Sequence, residues 1–201
     1  MDAQEKIVKA GNELFIQYGF KTVTLDDISR RAGISKKTLY QFYESKEQII
    51  DTCMRTFHSE VHQSISATLS SSKNAVQAMV EITRFIDSVY RQINPLAMLE
   101  LQRFFPQTFM AFYNEMMQAD AEQVEALLRQ GIAEGNFRED INIPLVALYR
   151  LESCLLFFQP GTQLTKRFPV HILNQEITEL FLYSIMTAKG ERLYRKYREA
   201  K

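Results

Sequence analysis

The chain has 201 residues, 46% of them apolar, with 24 Lys and Arg balanced by 24 Asp and Glu. That suffices for one ordinary core or a small domain beside a larger one, and it excludes a wholly basic nucleic-acid coat and an acidic disordered tail. Seven Gly and five Pro argue against a turn-rich all-β chain, and no apolar run is long enough to span a bilayer.

The breakers mark the elements in chain order. Ile7, Val8, Leu14, Phe15 and Tyr18 keep helical spacing until Gly19 stops the first helix. Thr24 caps a second, with Asp27 completing a capping box, and Gly33 ends it. Ser35 caps a third helix that runs to about Tyr43. Ser45 and Gln48 form a second capping box, opening a fourth helix whose stripe Cys53, Phe57, Val61, Ile65 and Leu69 ends at Ser70-Ser71-Ser72. A fifth helix is expected over 73–93. Asn94 and Pro95 open a sixth, Leu96 to Phe105, apolar on nearly every side and so expected to be buried. Pro106 starts a seventh that ends near Gly135. Asn142 and Pro144 open an eighth, closed by Pro160-Gly161, and Pro169 begins a ninth that runs to about Lys189. The expected fold is all-α with about nine helices: an N-terminal three-helix domain, joined by the fourth helix to a helical bundle.

Charge is unevenly spread. Residues 1–50 carry eight basic and seven acidic side chains, residues 51–188 ten and fifteen, and residues 189–201 six and two. From Ile28 to Tyr43 there are four basic residues, Arg30, Arg31, Lys36 and Lys37, and no acid. Such a face either meets an anion or is simply solvated. Cys53 and Cys154 form no CxxC pair and read as reduced core thiols in a cytoplasmic protein. The N-terminal stretch lacks the apolar segment and cleavage site of a signal peptide.

TLDDISRRAGISKKTLYQFY, residues 24–43, carries the chemistry. Two short helices meet at Ala32-Gly33-Ile34, where glycine permits a sharp turn that a Cβ would obstruct. Ile28, Ala32, Ile34 and Leu39 are spaced to pack the pair together. This is a helix-turn-helix pattern, in which the second helix can enter a major groove. Ser35, Lys36, Lys37 and Thr38 stand at its start, where free N–H groups and the positive dipole end favour anions. Tyr40 and Lys46 add a phenol and an ammonium along the flank, suited to phosphate oxygens. A structural αα-corner with solvated lysines is the competing reading.

The string Leu25, Ile28, Ala32-Gly33-Ile34-Ser35, Thr38-Leu39-Tyr40, Phe42-Tyr43 and Ser45-Lys46-Glu47 resembles the DNA-binding domain of TetR-family transcriptional repressors. The likeness extends back to Leu14-Phe15 and Gly19, and Gly135-Asn136-Phe137-Arg138 is similar to a phrase that family members often show. The resemblance implies a ligand-responsive repressor: a homodimer on a palindromic double-stranded operator, released by a small molecule, which the Phe, Met and Tyr residues of the second part lead us to expect to be lipophilic. Residues 1–61 would be the DNA-binding domain, with 24–43 its helix-turn-helix core, and 62–201 the ligand-binding and dimerisation domain. Carried over by position, Thr24, Thr38, Tyr40 and Lys46 would hold phosphates, and Lys36, Lys37 and Gln41 would face the groove. Asp26 stands where some members have a basic or polar residue; it either accepts from a cytosine amine or, the preferred reading, favours the helix N-terminus.

The eighth and ninth helices are apolar enough to need covering partners, and a four-helix interface between two copies would supply them; the competing reading makes them the inner core of a monomer. Residues 96–117 mix Met and aromatic side chains, which line pockets for apolar ligands and also make plain cores. The expected ligand set is His58, His62, Met98, Arg103, Phe109, Phe112, Tyr113, Met116 and Arg150, with the two arginines as anchors for an acid. His58 and His62 lie four apart, but no third ligand is near in sequence, so no metal and no cofactor is expected. Absence of GxSxG, HExxH and a glycine-rich phosphate loop argues against an enzyme. The alternative function is an all-α interaction module that no longer reads DNA.

Overall fold

The computed structural model describes residues 2–94, 96–156 and 163–199. Among them are eleven helices: α1 Ala3–Tyr18, α2 Leu25–Ala32, α3 Lys36–Phe42, α4 Lys46–Ser71, α5 Ala75–Tyr90, α6 Ala97–Phe104, α7 Pro106–Ala133, α8 Ile143–Leu155, α9 Gln163–Arg167, α10 Val170–Ile185 and α11 Ala188–Glu199. The expected all-α class is what the chain adopts. No helix among the described residues is long and apolar enough to cross a membrane. Pro95 and Pro160-Gly161, expected as punctuation, lie outside the described residues.

The helices gather into two compact units, one of residues 1–61 with 92–116, the other of 62–91 with 117–201. In the first, α1 packs against α2, α3 and α6. Its buried side chains include Ile7, Phe15, Phe20, Val23, Ile28, Leu39, Ile49, Ile50 and Leu101. Phe15 stacks on Phe20 with ring centres 5.0 Å apart. The capping predicted at Thr24 is present: its hydroxyl accepts from the Asp27 N–H, and the Asp27 carboxylate accepts from the Thr24 N–H at 3.0 Å.

Gly33 ends α2 in the left-handed region, at φ 68°. Its N–H donates to Arg30 O and the Ile34 N–H donates to Ser29 O, so two carbonyls at the helix end find donors. A Cβ at Gly33 would meet nothing within 4 Å. The positive φ, rather than an obstructing neighbour, is what asks for glycine here.

In the second unit α5 packs against α10 and α11, and α10 against α8. Val76, Val80, Leu128, Phe137, Ala147, Phe181, Leu182 and Ile185 belong to its core. Asn136 and Arg138 hydrogen-bond to the backbone of 185–187, pairing Phe137 with Met186 in a single antiparallel bridge. The Phe137 ring fills the space beside Gly131 that a Cβ would occupy.

Three expectations change. The sixth helix is not buried all round: Ala97, Met98 and Leu101 are covered, whereas Leu96 and Phe104 are exposed. An eight-residue helix lying on α1 offers that neighbour one stripe. The ninth expected helix breaks at Met186–Thr187, where the chain extends to make the bridge. The chain then restarts as α11, with the Thr187 hydroxyl accepting from the Gly190 N–H at 3.2 Å. At the start of α4, the Ser45 hydroxyl accepts from the Gln48 N–H, but the Gln48 side-chain oxygen takes the Glu44 N–H instead of Ser45's.

Candidate nucleic-acid interface

Leu39 is buried and holds α3 to the first unit, so the opposite side chains of this helix point outward. Lys37, Tyr40 and Gln41 are all exposed. The side chain of none of the three makes a hydrogen bond or ion pair among the described residues. Phe42 is also exposed. The polar ends of Lys37, Tyr40 and Gln41 are therefore open to solvent.

Ser35 and Thr38 are tied to each other. The Ser35 hydroxyl accepts from the Thr38 N–H at 3.0 Å and lies 2.8 Å from the Thr38 hydroxyl. Thr24 is exposed, and its hydroxyl also donates to Asp27 at 2.6 Å. These hydrogen bonds hold the Asp27 carboxyl below its ordinary value, the Thr24 hydroxyl first and the Thr24 N–H next.

Lys36 is less free than its position suggested. Its ammonium lies 2.9 Å from Asp26 across the turn, both groups exposed. The hydrogen bond to Asp26, and then that carboxylate's charge, push the Lys36 ammonium above its ordinary value. Asp26 therefore has a partner that neither reading of its sequence position included.

Lys46 is half-buried within the first unit. Its ammonium donates to Lys21 O at 3.3 Å and sits 5.6 Å from the centre of the Phe105 ring. Burial lowers it below the ordinary lysine value, against smaller opposing effects of Glu47 and Glu100. A group missed from sequence, Glu100 on α6, accepts from the Lys21 N–H at 2.9 Å and presses against Gly19, so α6 fastens the end of α1. Its only sequence signal is an acid in an apolar segment.

The residues expected to bind a ligand do not fall into one unit. His58, Met98, Arg103, Phe109, Phe112, Tyr113 and Met116 belong to the first, His62 and Arg150 to the second. Met98 is buried, while Arg103 is exposed and lies over the Phe104 ring. His58 meets Phe112 edge-on at 6.0 Å, and Phe109 stacks on Tyr113 at 6.3 Å. In the same unit Phe42, Tyr43, Glu47, Asp51, Gln107 and Ala111 line a groove of about 490 Å³. His62 Nδ1 lies 2.8 Å from Asp120, and its Nε2 3.0 Å from the Gln123 amide. Arg150 is buried and bonded to Thr178. Asn174, missed from sequence, is the fully buried amide one turn before Thr178; its signal was an uncompensated polar residue on the apolar face of the ninth expected helix.

Residues 7–53 match the model of bacterial regulatory proteins of the tetR family. Over 159 residues the chain is 24% identical to the HTH-type transcriptional repressor KstR2 of Rhodococcus jostii, covering 76% of this chain and 78% of that protein. Its fold is similar to that of a transcriptional regulator from Cytophaga hutchinsonii, with TM-score 0.73 and 18% identity over 91% of this chain and 98% of the other. It is also similar to the regulator FadR of Bacillus subtilis in complex with stearoyl-CoA, with TM-score 0.66 and 16% identity over 89% and 97%.

Proposed function

We propose that this chain, a member of the TetR family of bacterial regulatory proteins, is a repressor that binds a palindromic operator as a homodimer and leaves it when a small lipophilic ligand binds. As a transcriptional regulator it is not an enzyme. Residues 1–61 take the DNA-binding role and 62–201 the ligand-binding and dimerisation role. The observation that carries the DNA reading is α3 itself: Lys37, Tyr40 and Gln41 stand exposed without internal partners, on a helix capped and held by Ser35 and Leu39. Lysine and phenol groups suit phosphate oxygens, and a glutamine amide suits an adenine edge.

The homodimer is supported by an apolar face of the second unit. On α8, Leu145 is 62% and Tyr149 58% exposed; on α10, Leu180 is 69% exposed, with Ile172 and Tyr183 also uncovered. Leucines and tyrosines grouped on two neighbouring helices favour burial against the same helices of a second copy, a closed two-fold arrangement. Two copies would offer two α3 helices to half-sites about one DNA turn, roughly 34–36 Å, apart. A ligand that binds better to a state with a different spacing then causes release without unfolding. The lipophilic character rests on the Met and aromatic residues of 96–117 and agrees with the acyl ligand of the FadR structure.

The test is retention of DNA from upstream of the chain's own gene in a gel-shift series over salt concentration. Specific, salt-sensitive retention supports the reading. No retention at low salt overturns it and leaves an interaction module.

A further inference from the structure

Arg150 is a buried charge without a buried counter-charge. Its side chain on α8 is 8% exposed, yet no carboxylate among the described residues lies within ion-pair distance. Nη2 donates to the Thr178 hydroxyl at 3.0 Å, Nη1 approaches the Ser153 hydroxyl at 3.5 Å, and the guanidinium lies 5.6 Å from the centre of the Phe181 ring. Two hydroxyls and a ring are its partners, and no carboxylate among the described residues balances its charge. One turn before Thr178 on α10 stands Asn174, 0% exposed, with neither its amide nitrogen nor its amide oxygen hydrogen-bonded. Buried polar groups are nearly always paired, and a buried cation without a partner is among the costliest arrangements in a protein. A buried guanidinium with no carboxylate beside it and a buried amide with no hydrogen bond, on facing helices of one unit, suit a partner that arrives from outside.

We propose that Arg150, Asn174 and Thr178 form the binding site for the carboxylate of a lipophilic monocarboxylic acid, which rests on the reading of the chain as a ligand-responsive regulator. A guanidinium offers a carboxylate two parallel N–H bonds, and one cation balances one negative charge. A phosphate monoester, carrying nearly two, would leave a buried excess. Asn174 adds an amide N–H, and Thr178, which accepts from Arg150, keeps its own hydroxyl hydrogen to donate. The Tyr90 phenol is held above its ordinary value, by burial first and by Cys154 next, so it stays neutral and adds no competing negative charge near Arg150. The neighbouring side chains Ala147, Leu173, Phe181 and Leu182 are apolar and buried, which suits a hydrocarbon remainder.

The experiment is thermal melting and operator retention of the full chain with octanoate, decanoate and dodecanoate, each against its matched primary alcohol. The acids are expected to raise the melting temperature by several degrees and weaken retention, and the alcohols to do neither. Arg150→Met is expected to bind the acids at least tenfold more weakly while its ligand-free melting temperature holds or rises, because it removes a buried charge. Arg150→Lys should recover part of the response. If Arg150→Met does not fold, Asn174→Leu decides, with weakened acid binding expected. Alcohols that act as well as acids, or variants that keep the acid preference, overturn the carboxylate site and leave the lipophilic-ligand reading intact. If neither acids nor alcohols change melting or retention of the unmodified chain, both fall.

Discussion

Asp26 and Lys36 belong to different helices and meet across the turn at 2.9 Å. The carboxylate shields the first basic group of α3, so Asp26→Asn should tighten DNA binding severalfold at low salt and steepen its salt dependence by up to about one ion. Fluorescence anisotropy with a labelled duplex reads both; an unchanged slope means that Lys36 stays away from phosphate. Asp27 sets a pH dependence. Its folded value is held below the ordinary one near 3.8, so its contribution to stability is complete above that value and is lost as pH falls through the folded one. The stability advantage of the natural chain over Asp27→Asn should therefore be constant above about pH 5 and shrink towards pH 2 in urea melts. Thr24 and Ser35 were legible as caps because a cap bonds three residues ahead and needs no tertiary knowledge. The Lys36 pair and the inward turn of Lys46 were not, since each depends on how separate segments meet.

Gly33 and Gly190 show two different demands that an element makes of glycine. At Gly33 the space is open and only the backbone angle is unusual, so Gly33→Ala should cost about 1 kcal/mol. At Gly190 a Cβ would stand 2.2 Å from the Asn136 carbonyl oxygen, and backbone must move to admit it. Gly190→Ala should cost about 3 kcal/mol, more than Gly33→Ala, when the two are compared by chemical denaturation. The opposite order would show that the bridge at 136–138 yields easily. The helix-turn-helix elements could be read from periodicity and breakers because both signals are local. The division between α10 and α11 could not, because no Gly or Pro marks it. There the Asn136–Arg138 segment captures the backbone of 185–187, and Thr187 caps α11.

The whole molecule, as proposed, needs a second copy. Leu180→Glu, placed on the exposed apolar face of α10, should turn a dimer into a monomer in sedimentation at micromolar concentration. A natural chain that already sediments as a monomer would contradict the two-fold operator model. The all-α class and the helix-turn-helix were legible from the sequence, but the company that residues 92–116 keep was not. Their Met and aromatic composition suits a pocket or a core equally, and only packing shows that they join the N-terminal helices. The central claim is that the exposed face of α3 meets DNA phosphate and base edges. Its most direct test is the salt dependence of operator binding by the natural chain and by Lys37→Ala, a residue with no internal partner to lose. The account predicts weaker binding by the variant, with a slope of log affinity against log salt shallower by about one. Equal affinities and equal slopes would contradict it.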